Sequence, residues 1–278
     1  MGLVFHVRKG FLALLVLACC LGGALQNAGH AMTPVGYGFG PDVYESELQY
    51  GVGVYFAPYN LNIYAEPNTA ADVVESLVWS EKTPTSNVRS THQNLNLPAK
   101  NTFLSFYPNL QIAIMPVVSD TDDGWLEVVY DQDQKKTGWV PNRQQLLSSL
   151  PDFIEPGNEQ QTPADLPPHM GVFQTWIDFV KLNAKANGIY WLNGVSDYHR
   201  NIRTSPKDTA KFVKITVMKD LKVRHARGNW LLVEVLDFNR NTPIGWVRWR
   251  DANGRLLVFP NLAGGKFPMT YMGKMGSR

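Results

Sequence analysis

The chain has 278 residues, 44% of them hydrophobic and 18% charged, with a formal net charge of +2. That length allows two domains of ordinary size, and this balance of apolar to charged residues excludes an intrinsically disordered chain. The near-neutral charge argues against nucleic acid as a partner.

The first 31 residues differ from the rest. Arg8 and Lys9 precede an apolar run from Phe11 to Leu21, which gives way to small and polar residues ending Ala28-Gly29-His30-Ala31. This is the layout of a secretory signal peptide over residues 1–31, and the run is shorter than the roughly 20 apolar residues of a membrane-spanning helix. Its removal takes two of the 26 basic residues and none of the 24 acidic ones, which leaves the mature chain with equal numbers of each. Cys19 and Cys20 are the only cysteines and both lie in the leader, so the mature chain is expected to have neither a disulfide nor a thiol nucleophile. Val16-Leu17-Ala18-Cys19 also resembles a lipobox, and contact with a membrane is expected only if Cys19 is lipidated. The expected location is the periplasm or cell envelope.

Residues 32–49 form an N-terminal segment, after which the pattern turns to short strands. Leu126, Val128 and Tyr130 alternate with Trp125, Glu127 and Val129, and Val213, Ile215 and Val217 alternate with Lys214, Thr216 and Met218, the two-residue period of a half-buried strand. Polar turn formers at residues 131–136 and 239–243 interrupt such strands. Two stretches match each other: Glu127-Val128 precedes Gly138-Trp139-Val140 by 11 residues, and Glu234-Val235 precedes Gly245-Trp246-Val247 by 11 residues. Aligned on those glutamates, the second copy carries its two extra residues between Trp230 and Glu234. Earlier in each copy, Asn62-Ile63-Tyr64-Ala65-Glu66-Pro67 is echoed by Asn201-Ile202-Arg203-Thr204-Ser205-Pro206. The spacing from these motifs to the glutamates places an insertion at about residues 80–111 of the first copy.

Five prolines between Pro151 and Pro168 predict an extended linker over residues 148–168. Phe173, Trp176, Ile177 and Val180 then fall at helical spacing, and Asn187-Gly188 supplies a stop, which predicts an amphipathic helix over residues 169–187. The second copy spans residues 188–262, and the Gly- and Met-rich tail follows from residue 263.

Asn201-Ile202-Arg203-Thr204-Ser205-Pro206, an apolar strand, Gly228-Asn229-Trp230 and Gly245-Trp246-Val247 together resemble the bacterial SH3-like (SH3b) domain. The first copy, residues 50–147, is a divergent match, with Tyr64 where that family carries Arg and with the long insertion. The resemblance implies a mainly β fold of two small SH3-like antiparallel barrels joined by one amphipathic helix. It also implies an exported, non-catalytic binding or scaffold protein of the bacterial cell envelope, with cell-wall peptide or glycan, or another envelope protein, as partner.

The candidate groove residues are Trp125 and Trp230, which start a strand beside the turn and serve either as groove lining or as packing, together with Tyr55 and Tyr59, which extend the groove or begin the first core. Trp139 and Trp246, each following a Gly in a closing strand, are expected to cover one end of a small core. For catalysis the pattern offers little. No His-Glu-x-x-His and no Gly-x-Ser-x-Gly occurs, and His92, His169, His199 and His225 stand apart in sequence. Asp197-x-His199 reads either as an acid–base or metal-ligand pair or as a surface turn into the second copy. Met269, Met272 and Met275 could gather a soft cation, against a plain mobile tail. No cofactor and no metal is expected, and an envelope hydrolase of unrecognised type is the alternative reading.

Overall fold

The computed structural model describes residues 38–41, 51–80, 87–143, 167–213, 220–236 and 244–262. The leader with Cys19, nearly all of the Pro-rich linker, most of the strand expected from Val213 to Met218, and the Met-rich tail lie outside the described residues. The described residues all belong to one compact unit.

The fold is mainly β, and every strand pairing is antiparallel. One sheet runs in the order β10 (Phe173–Thr175), β1 (Gly53–Phe56), β7 (Ile112–Asp120), β8 (Trp125–Asp131), β9 (Lys136–Pro141), β2 (Asn60–Tyr64), β3 (Val73–Val78), β4 (Asn87–Ser90) and β5 (Leu95–Pro98), with β6 (Ser105–Tyr107) also paired to β7. The other runs β14 (Ile244–Arg248), β13 (Trp230–Leu236), β12 (Asp220–Arg227), β11 (Ile189–Trp191), β15 (Val258–Pro260). Among the described residues neither sheet closes its hydrogen-bonded path. The segment between β3 and β7 holds β4, β5, the short helix α1 (Ala99–Thr102) and β6.

The turn after the first motif of each copy repeats bond for bond. In the first, Ala65 N–H donates to Asp72 O, Asn68 N–H to Glu66 O and Ala71 N–H to Asn68 O; in the second, 139 positions on, Thr204 donates to Lys211, Lys207 to Ser205 and Ala210 to Lys207. Tyr64 pairs with Trp139 as Arg203 does with Trp246. Even the irregularity recurs: the register slips between Val117 and Ser119 in β7, and between Val223 and His225 in β12. Such bulges bend and twist a strand, so both sheets turn at the same place.

The pairing corrects one expectation about register. Trp125 faces Pro141 and Val128 faces Gly138, while Trp230 faces Arg248 and Val233 faces Gly245. The two tryptophans are therefore equivalent, and Glu127 matches Leu232, not Glu234. The two extra residues of the second copy lie between the paired strands, in the hairpin connection, where added length costs little because it disturbs no ladder bond.

β1 and β7 carry the architecture. Val54 and Phe56, with Ile112 and Ile114, join a core that also contains Leu221, Val233, Val247 and Phe259 of the second sheet. Tyr55 and Ala57, with Ala113, Met115 and Val117, face the other way into a core confined to the first copy and its insertion, together with Met170. A strand buried on both faces reads as a continuous apolar run, and GVYF and IAIMPV do.

The helix α2 (Trp176–Asn187) completes the shared core with Trp176, Phe179, Val180 and Ala184. It starts after residue 175 because residues 173–175 pair with the free edge of β1 as β10. Thr175 caps it by accepting from Asp178 N–H. It ends at Gly188, whose φ of +76° suits glycine and where a Cβ would stand 2.7 Å from Leu221 O.

Candidate ligand-binding face of the second repeat

The four aromatic residues singled out in the sequence are all buried, at 0% exposure for Tyr55, 8% for Tyr59, 5% for Trp125 and 8% for Trp230. Tyr55 donates its hydroxyl to Pro141 O at 3.2 Å, and burial pushes its phenol well above the usual range. Trp125 stands edge-on to Tyr64 with centroids 5.6 Å apart. Tyr59 lies 4.6 Å from the ring of Trp79, whose indole N–H donates to Pro58 O. Trp230 belongs to the other sheet, under the guanidinium of Arg248 at 4.7 Å. These rings pack in separate places and do not line one groove.

Of the two roles weighed for Trp125 and Trp230, packing fits their burial, and the role expected of the other tryptophan pair does not hold. Trp139 and Trp246 are half-exposed, not end covers of a core. The cause is local: a Cβ at Gly138 would meet Ile63 Cγ2 at 2.5 Å, and one at Gly245 would collide with Ile202 Cγ2 and stand 2.9 Å from Arg203 O. Only glycine fits inward there, and strand alternation then turns the next residue outward.

An exposed aromatic cluster does exist, around Arg203. Its guanidinium carbon lies 4.7 Å from the ring centre of Tyr198 and 4.9 Å from that of Phe212, while the residue itself is 3% exposed. Arg203 Nη1 donates to the carbonyls of Asp208 and Ala210, which fixes the guanidinium between the rings. Tyr198 is 50% and Phe212 54% exposed. On β14, Ile244 is exposed and Trp246 half-exposed on the side opposite the buried Gly245 and Val247. Trp246 holds Arg203 by paired backbone bonds and meets the ring of His225 edge-on.

Charge surrounds these rings. Arg248 grips the Asp208 carboxylate with two donors, which holds that carboxyl below its ordinary value and raises the guanidinium's. Lys207 and Lys211 are exposed on the same turn. Asp197 and His199 sit in the short helix α3 (Asp197–Arg200), and His199 adds to the lowering of the Asp208 carboxyl after Arg248 and Arg203. Among the described residues, no three His, Cys, Asp or Glu side chains converge as metal ligands.

Sequence reasoning passed over Tyr198 and Phe212. Tyr198 precedes Arg203 by five residues, as Tyr59 precedes Tyr64, and that spacing was the available signal. The difference is that Tyr59 packs against Trp79, which in turn meets Phe106 of the insertion.

A concavity of about 190 Å³ opens between the insertion and the β8–β9 hairpin, lined in part by Glu75, Gln93, Tyr130, Asp131 and Asp133. Glu75 is 1% exposed and accepts from Ser76 N–H, Ser90 Oγ and Gln93 Nε2, so its carboxylate ties the β4–β5 hairpin to β3. Burial, reinforced by Glu75 and Asp131, raises the Tyr130 phenol.

The sequence matches no protein-family model and no curated protein.

Proposed function

We propose that the protein is an exported, non-catalytic SH3-like binding or scaffold protein of the bacterial cell envelope, which recognises a peptide or cell-wall polymer through the second repeat. The observation that carries this reading is the exposed Tyr198 and Phe212 pair held about a buried Arg203. Flat rings carried by a short helix and by the segment bridged to Arg203 offer contact area at small cost in side-chain entropy, and the arginine between them is set by hydrogen bonds before any ligand arrives. The export half of the proposal rests on the layout of residues 1–31, and intact-mass measurement of envelope-fractionated protein tests it: a chain beginning near Met32 supports it, and a retained leader refutes it.

The binding half is tested by retention on purified wall material. Wild-type protein should be retained, and Tyr198→Ala or Phe212→Ala should weaken retention without lowering thermal stability, since both rings are largely exposed. Release of soluble fragments from the wall, lost in His199→Ala, would replace this reading with a hydrolase.

A further inference from the structure

Resting on that reading, we infer that the face around Tyr198, Arg203 and Phe212 takes an acidic, aromatic-bearing polypeptide segment supplied by another chain. The molecule contains its own comparison, because the first repeat presents the same backbone with different surface residues. Positions 139 apart carry Tyr64 for Arg203, Asn68 for Lys207, Thr69 for Asp208, Asp72 for Lys211 and Val73 for Phe212, and Pro141 faces Trp125 where Arg248 faces Trp230. The first repeat thus has one acid and no cation where the second has two arginines, two lysines and one aspartate.

The first repeat also shows what covers such a face. Tyr59, at the chain position that Tyr198 occupies in the second copy, is packed against Trp79, which directly follows β3 and in turn meets Phe106 of β6, within the insertion, at 5.6 Å. There, polypeptide bearing aromatic side chains does the covering, supplied in the same chain. At the position 139 after Trp79 the second repeat carries Met218, which lies outside the described residues. Its Tyr198 and Phe212 are left in solvent.

Charge selects among possible occupants. With Arg203, Lys207, Lys211 and Arg248 against Asp197 and Asp208, the face carries a net excess of cations, which favours carboxylates on the ligand. Phe212 and Ile244 have no polar tip, so the ligand also needs apolar side chains. A polyol phosphate supplies the anions and nothing for these two residues, and a wall glycan stripped of peptide carries carboxylates on its sugars but no apolar side chains. A polypeptide supplies both.

The test uses the full mature chain and an array of short synthetic peptides that vary independently in their number of Asp and Glu residues and of Trp and Phe residues. Polyglycerol phosphate and peptide-free wall glycan serve as comparators. Binding should rise with acid count, require an aromatic residue, and weaken with added salt. It should fall about tenfold in Phe212→Ala and in the Lys207→Glu, Lys211→Glu double variant, all with unchanged melting temperatures, and stay unchanged in Asp72→Lys of the first repeat. Binding indifferent to acid count, or undiminished in those variants, overturns the inference. If peptide-free glycan or polyglycerol phosphate binds instead, and Tyr198→Ala abolishes it, the inference falls while the binding function stands. Binding to neither array nor wall material ends both.

Discussion

Trp230 and Trp246 lie a strand apart in the same sheet and make opposite demands on the fold. Trp230 is buried beneath Arg248, whose guanidinium it supports, whereas Trp246 turns outward beside His225. Truncating a buried tryptophan removes its transfer energy and leaves a cavity, so Trp230→Ala should cost about 3–5 kcal/mol. Trp246→Ala should cost about 1 kcal/mol or less, as substitutions outside the core do. Urea unfolding midpoints check this, and a larger loss for Trp246→Ala would contradict the burial described above. The motif Gly-Trp-Val by itself does not say which of its residues points inward. That is decided by Ile63 and Ile202, both far away in sequence, which leave no room for a Cβ at the glycine.

Among the elements, the hairpin and turn built twice bear the strongest evidence of common construction. Gly138 and Gly245 hold equivalent places against Ile63 and Val74 in one copy and Ile202 and Val213 in the other. Gly138→Ala and Gly245→Ala should each destabilise the protein by about 1–3 kcal/mol, the cost of forcing atoms into a packed site. Thermal unfolding of the two variants checks this, and a neutral result at either position would show that its neighbours yield freely. Periodicity exposed the strands of this unit because one face of each is buried. It did not expose β10, because Phe173 fits helical spacing as well as it fits a strand, and only the open edge of β1 draws residues 173–175 into the sheet.

Across the whole molecule, the two copies share a core through β1, β7 and α2, and residues 167–175 run along β1 to reach that helix. Gly171 N–H donates to Phe56 O, Phe56 N–H to Val172 O, and Arg143 Nη1 donates to Pro167 O and Met170 O. His169 sits in this junction, its Nε2 2.8 Å from Gln111 O and its ring edge-on to Phe56. Burial lowers its pKa from the ordinary 6.5, against the opposing hydrogen bond to Gln111 O, and Arg143 adds to the lowering. The unfolded chain therefore binds a proton at this residue at a higher pH than the folded protein does, and between the two values stability rises with pH. The contribution is complete above the unfolded value and is lost as pH falls through it toward the lowered one. Melting temperature should accordingly fall on acidification below pH 6.5, and less steeply in His169→Gln. Equal slopes for the two proteins would show that His169 does not couple to folding.

The sequence by itself determined the mainly β class and the repeated motifs, because alternation, turn chemistry and internal spacing are local properties of the chain. Residues 53–56 and 112–117 are continuous apolar runs in strands buried on both sides, which a search for alternation does not register. What only the tertiary structure decided is which aromatic residues meet solvent. Tyr59 and Tyr198 occupy like positions in like motifs, yet one is sealed by Trp79 and the other stands open, because exposure depends on what distant segments pack above a residue and not on its neighbours in the chain.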